Sequence, residues 1–406
     1  MSYDDALIKA AERGELSKLL HRLDNGADPN ASEIQTGDTP LLRACSGGHI
    51  DCVQALLERG AKPELAAADG ETPLVAAVVF GDLDLVKLLL DQGAPIAQAG
   101  AHGTTPLHAC CESDAIDIAR LLLDKNAPFA VVDEEGLSPL HHAAERGCLA
   151  IAQLLLDKGA DAELANDSGL TPLHCASMHG HTALIKLLLE ADASTGTRCD
   201  IVVDPEQDEE GEGYELPNYT PLHLAAYYGH PEAIKTLLAG GASWRDLEGS
   251  DSGAASLHLA AELEDSLALE ALLEAGVPVE SRDQWGATAL HYAAGAGSQL
   301  NTLLLLKKGL QADERDGEGQ SPLLDAVLAG FYETAEILLH HGAHPDPVST
   351  EGRTALAEAV LAEDTECAEL LLNHGARRDC RDAEGKSLLE IAPPKMRKWL
   401  KNKGLS

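Results

Sequence analysis

The stretch from Gly169 to Ala191, GLTPLHCASMHGHTALIKLLLEA, decides the fold. It runs from Gly169 through Thr171-Pro172-Leu173-His174 and a set of small residues, breaks at Gly180-His181, and ends in a leucine-rich segment. Thr before Pro starts a helix, because the hydroxyl accepts from an orphan backbone N–H and Pro is tolerated in the first turn. Leu173 and the small residues at helical spacing make a narrow apolar face that lets a neighbouring helix come close. A Gly near the helix end, Gly180 here and Gly147 or Gly229 elsewhere, permits the left-handed residue that turns the chain. The second segment, apolar at i, i+3 and i+4, closes the core of a helix–turn–helix unit.

Most of the chain copies this unit. Matching glycines stand at Gly37, Gly70, Gly103, Gly136 and Gly169, each 33 residues after the last. The count resumes at Asn218 and Gly253 and runs at 33 again through Gly286, Gly319, Gly352 and Gly385. Self-similarity at a fixed period of this length marks a linear repeat array, in which each unit completes the core of its neighbours. The helix starts read TPLHACC at Thr105, SPLHHAA at Ser138, TPLHCAS at Thr171, TPLHLAA at Thr220, SLHLAA at Ser256 and TALHYAA at Thr288. Their downstream partners include LLLDKGADAE (Leu154 to Glu163) and LLLDQGAPI. Over residues 4–392 this pattern closely resembles the ankyrin-repeat family. The resemblance implies an all-α repeat solenoid of stacked helix-turn-helix units joined by short β-hairpin loops. It also implies a non-enzymatic module for protein–protein interaction, with histidines that bridge neighbouring repeats by hydrogen bonds.

Boundaries follow from the count. Residues 4–36 form an N-terminal capping unit, 37–193 and 218–384 are repeats, and 385–406 are a C-terminal capping segment with a short helix expected around Lys395 to Asn402. The whole is read as a single repeat domain. Residues 194–217 interrupt it as an insertion in a hairpin loop, with eight acids against Arg198 alone. Such a block reads as flexible and solvated. His gives way to Leu42, Val75, Leu324 and Ala357 in four units, and Pro is missing from the units at Gly253, Gly286 and Gly352. These departures are expected to weaken caps and bridges by roughly 0.5–2 kcal/mol each and to loosen the last repeats.

The formal charge of −37 comes from 67 acids and 30 bases. That field repels phosphate backbones and attracts basic partners, so a protein partner with a basic surface is expected, and nucleic acid is not. Nine cysteines without a CxxC pair read as small buried hydrophobes in a reducing compartment. The N-terminus has no signal-peptide pattern, and the apolar run from Leu74 to Phe80 is too short to cross a bilayer. The expectation is a cytoplasmic protein. The basic KMRKWLKNK near the end is read first as a capping helix, with nuclear import as the alternative.

The repeated His108, His141, His174, His223, His258 and His291 stand one repeat apart and, from sequence, have no carboxylate partner within the unit. No metal and no cofactor are expected. In the insertion, Asp204, Glu206, Asp208 and Glu215 have a superficial calcium-loop spacing, but Glu209 stands where that loop needs Gly. Aromatics are more telling: seven of the thirteen fall between Tyr214 and Tyr292. Tyr219 and Trp285 read as hairpin-tip residues, and Tyr227 and Tyr228 as the end of a first helix, with Phe80 and Met178 at matching helix ends. In the family such positions face the concave groove, and Tyr and Trp make rigid anchors at binding hot spots. The candidate partner site is therefore Phe80, Met178, Tyr219, Tyr227, Tyr228 and Trp285, with Glu209, Glu210 and Glu212 in the acidic loop. A scaffold or adaptor is the favoured function; the alternatives are a chaperone that shields a basic subunit, or a structural subunit of a larger complex.

Overall fold

The computed structural model describes residues 3–203, 214–244, 255–350, 352–381 and 384–404. Among them are 24 α-helices and two strands. The helices follow one another as pairs, from Tyr3–Glu12 with Leu16–Asp24 to Leu388–Ile391 with Pro394–Asn402. Local sequence explains where each pair starts. Thr39 and Thr72 accept hydrogen bonds from Leu42 N and Val75 N, and Pro40 and Pro73 occupy the first helical turn. Gly147, Gly180 and Gly229 take the positive φ that the sequence assigns to the turn between helices.

In the first unit first helices pack on first helices and second helices on second. Pro139–Arg146 lies between Pro106–Glu112 and Pro172–Met178, and Leu149–Asp157 lies between Ile116–Asp124 and Thr182–Glu190. The core is aliphatic and small, as the composition requires: Leu140, Ala143, Ala144, Ile151 and Leu155 are all at most 1% exposed. Burying such a leucine contributes about 1.5–3 kcal/mol. Eight of the nine cysteines are buried thiols, and Cys380 is half-buried. Exposed ion pairs link successive second helices, Arg59 with Asp24 at 2.7 Å and Lys158 with Asp124 at 3.1 Å, and add little to stability.

The chain divides into two compact units, Met1–Ser194 and Thr195–Ser406, where a single array is expected from the sequence. The division falls at the start of the insertion. Its flanks are not a plain loop. Strand β1 (Cys199–Val203) pairs antiparallel with strand β2 (Tyr214–Tyr219), with Cys199 opposite Tyr219 and Ile201 opposite Leu216. The β-branched run Ile201-Val202-Val203 explains the strand, a signal overshadowed in the sequence by the acidic residues. Residues 204–213, with Glu209, Glu210 and Glu212, lie outside the described residues. The short helix expected around Lys395 to Asn402 forms as Pro394–Asn402, and Met396 and Leu400 bury its inner face. Among the described residues no helix is long and apolar enough to cross a membrane.

The repeated histidine joins one repeat to the next. His141 Nδ1 accepts from Ser138 N at 3.1 Å, so the proton sits on Nε2, which donates to Leu170 O of the following repeat at 3.1 Å. His108 does the same with Thr105 N and Leu137 O, and His258 with Ala255 N and Ala287 O. Where His is absent the cap survives: Thr39, Thr72, Ser321 and Thr354 bond directly to the N–H three residues on. Those departures therefore forfeit the bridge and keep the cap, a smaller loss than the sequence implies.

Burial pushes His108, His141 and His223 down to about 4 from an ordinary 6.5. The folded pKa lies below the unfolded one, so the unfolded chain takes up more protons between those values. Their contribution to stability is thus complete above about pH 6.5 and falls as pH drops towards 4. In urea titrations His141→Leu is expected to cost about 1–2 kcal/mol at neutral pH, and that cost should shrink near pH 4.

Candidate functional site

A cavity of about 550 Å³ opens in the second unit, lined by the hairpin residues Asp283, Trp285 and Ala287, by Tyr292 and Gly295 of the helix Ala289–Gly295, and by residues of the next repeat. Asp316 and Glu318 come from that repeat's hairpin, and Asp325 and Leu328 from the helix Pro322–Leu328. Its walls mix apolar surface with carboxylates. Trp285 is 52% exposed and Leu328 51%, so both are open to an incoming group.

The hairpin that carries Trp285 is fixed by Asp283. Its Oδ1 accepts from Trp285 N at 2.9 Å and Ala287 N at 2.8 Å, and its Oδ2 accepts from the Tyr292 hydroxyl at 2.8 Å. Burial first, and the Asp283 carboxylate next, push the Tyr292 hydroxyl above its usual range, so it stays protonated and donates. Trp285 O accepts from Gly317 N at 2.6 Å, which ties this hairpin to its neighbour. The approach requires glycine at Gly286, where φ is +81° and a Cβ would fall 2.8 Å from Gly317 N.

Of the aromatic residues singled out from the sequence, Tyr219, Tyr227 and Tyr228 come together. Tyr227 stands 5.0 Å from Tyr228 and 6.4 Å from Tyr219, edge-on in both cases. Tyr219 is not at a hairpin tip. It ends β2 beside the cap residue Thr220, packs against His223 at 5.5 Å and is only 4% exposed. That burial removes it from the candidate contact set. Strand pairing places Tyr219 opposite Cys199, which the 33-residue register alone does not show. Tyr228 is exposed and Tyr227 half-buried. In the first unit Phe80 is half-exposed and its ring lies over Gly48, where a methyl would fall 2.0 Å from Phe80 Cε1. Met178 is half-buried at the end of its helix.

Two clusters escape the sequence reading. The first is His142, whose Nε2 sits 2.7 Å from Asp133 Oδ2, with the His108 ring 5.1 Å from the His142 ring. A carboxylate therefore does stand beside the histidine row, contrary to expectation. Burial alone would raise Asp133, but its hydrogen bonds from His142, Leu137 N and Glu135 N hold it below the usual range. His108, Asp133 and His142 are the one group among the described residues close enough to hold a metal ion. Both ring nitrogens of His108 are, however, engaged by Thr105 and by Leu137 O, so its part in the cluster is structural. The second cluster is Asp325 with Asp316. Burial first, and the Asp316 charge second, push Asp325 up to about 7. Its Oδ2 is buried and has no hydrogen-bond partner. The signal is visible in SPLLDAV, an acid at a position held elsewhere by Ala109, Cys175, Leu224 or Leu259.

Comparison with known proteins agrees with the geometry. The family model described as ankyrin repeats (3 copies) matches residues 7–99, 62–133, 95–166, 126–199, 160–247, 202–280 and 257–349. A model for a further ankyrin repeat matches residues 351–383. A segment of the chain is similar to the 2-5A-dependent ribonuclease of Mus musculus, 43% identical over 60 residues. That covers 15% of this chain and 8% of the relative, so the chain spans only a small part of that protein's length.

Two measurements check this description. Tyr219→Ala should destabilise the second unit by about 3–5 kcal/mol, the cost of emptying a buried aromatic site, whereas half-exposed Trp285→Ala should cost far less. Asp325→Leu should raise stability by about 1–3 kcal/mol, because it removes a buried group without a partner. The folded pKa of Asp325 lies above its ordinary 3.8, so its penalty is absent at low pH, grows between about 4 and 7, and is complete above that. The gain from Asp325→Leu in thermal melts should accordingly be larger at pH 8 than at pH 4.

Proposed function

Because the chain belongs to the ankyrin-repeat family, we propose that it is a non-enzymatic scaffold that holds a protein partner with a basic surface. Ankyrin repeats are in general modules for protein–protein interaction, and the stacked helix pairs suit that role. The observation that carries the choice of partner is the cavity beside Trp285, where an exposed indole and Leu328 stand among Asp283, Asp316, Glu318 and Asp325. Rigid aromatic anchors in a partly desolvated setting are what concentrates binding energy at an interface. Tyr227, Tyr228 and Trp285 are the contacts proposed in the second unit, and Phe80 and Met178 those proposed in the first. The chain's net charge of −37 steers a basic protein towards these surfaces and repels nucleic acid. A reducing compartment such as the cytoplasm fits the free cysteines.

A partner crosslinked in native extract, identified by mass spectrometry and purified, should bind more weakly as NaCl rises across a roughly tenfold range, because surface charges are screened within a Debye length. The double variant Tyr228→Ala/Trp285→Ala should lose affinity with its fold intact. An affinity indifferent to salt would sink the claim of a basic partner.

A further inference from the structure

The fifth residue of the TPLH-type start faces the hairpin of its own repeat, and where it is polar it meets a complementary group. Arg43 lies 2.6 Å from Asp38, His142 2.7 Å from Asp133, Tyr292 2.8 Å from Asp283, and Glu358 3.0 Å from Arg353. In each pair a donor meets an acceptor. Asp325 breaks the rule: it shares its cavity with Asp316, another acid.

Among the described residues none donates a hydrogen bond to Asp325 Oδ2. Asp316 Oδ1 already accepts from Glu318 N and Gln320 N, and Asp325 Oδ2 is buried without a partner. The arginines of the two hairpins are engaged elsewhere. Arg282 reaches Glu314, Gly286 O and Arg315 O, and Arg315 reaches Asp313 and Gly319 O. Among the described residues no ion pair reaches Asp325. A desolvated carboxylate of this kind is costly alone and is compensated by a cation.

The surroundings select the cation. The acids of this cavity do not converge as metal ligands; the one group among the described residues that does is His108, Asp133 and His142. The cavity of about 550 Å³ is open to the surface and has apolar walls in Trp285, Ala287 and Leu328. A long aliphatic stem with a cationic head matches both parts, since the stem covers apolar surface while the head meets the acids, and an indole adds attraction for a cation nearby. We propose that the cavity between Trp285 and Asp325 receives one basic side chain, lysine or arginine, from the partner protein, with its stem against Trp285 and Leu328 and its head at Asp325 and Asp316. This rests on the scaffold reading above and names the chemistry of its central contact.

The test uses the full chain with nitrogen-15 in its tryptophan indoles, the Trp285 resonance being assigned through Trp285→Phe. Three acetylated, amidated pentapeptides are titrated, each with two glycines on either side of a central lysine, arginine or norleucine. The lysine and arginine peptides should shift the Trp285 indole signal saturably, and the neutral norleucine peptide should bind at least about tenfold more weakly. Asp325→Leu, which places at this position the residue that Leu224 and Leu259 supply in sister repeats, should lose at least about tenfold in affinity for the charged peptides while melting no lower than the native chain. Equal binding of the norleucine peptide, full affinity in Asp325→Leu, or no shift at Trp285 with any peptide overturns the proposal. The scaffold reading fails differently: a crosslinked partner that binds both the native chain and Asp325→Leu with equal salt sensitivity keeps the scaffold and removes the pocket.

Discussion

An imidazole held at both nitrogens is the constraint on which the stack depends. His141 is typical: Nδ1 accepts from the N–H at the start of its own helix, and Nε2 donates to a carbonyl just before the next helix start. One side chain thereby caps a helix and sets the spacing to the following repeat. Because it is buried, the ring must stay neutral to serve both ends, and burial enforces that by lowering its pKa to about 4. The helix faces can then be as plain as Leu and Ala, since registration is set by hydrogen bonds and close approach by small residues. This division of labour explains how a chain with only 3% aromatic residues holds its repeats together.

The same geometry creates positions that chemistry can use. In four repeats a charged residue of the hairpin meets the fifth residue of the following helix start. Where Ala109 or Leu224 stands, the position is core. Where His142 meets Asp133 or Tyr292 meets Asp283, it is an internal tie that stiffens the hairpin. Asp325, which shares its cavity with Asp316, is the exception, and it coincides with the exposed Trp285 and Leu328. A repeat protein can specialise one site in this way without altering its fold, because each substitution is local to one pair of neighbours.

Much of this is legible in the one-letter sequence because it depends on local rules. Thr-Pro starts, helix-end glycines and the 33-residue count place the helices, and the short helix expected around Lys395 to Asn402 forms as Pro394–Asn402. The insertion is less legible. Its acids dominate the composition, while Cys199–Val203 and Tyr214–Tyr219 form strands through a pairing that local sequence encodes only weakly. Tyr219 shows the consequence, since the strand pairing carries it into the core beside His223, and an aromatic that counts as a surface anchor by register becomes packing.

What the sequence by itself determined is the family, the helical repeat, the caps and the aliphatic core, because all of these follow from periodicity and from hydrogen bonds within a few residues along the chain. The tertiary structure alone decided which side chains meet between a hairpin and the helix that follows it. His142 and Asp133 are nine residues apart, and so are Tyr292 and Asp283, and Asp325 and Asp316. Whether such a pair is a tie or a buried charge in need of a partner depends on desolvation and on the reach of nearby donors. Those are properties of packed neighbours, and no spacing along one chain expresses them.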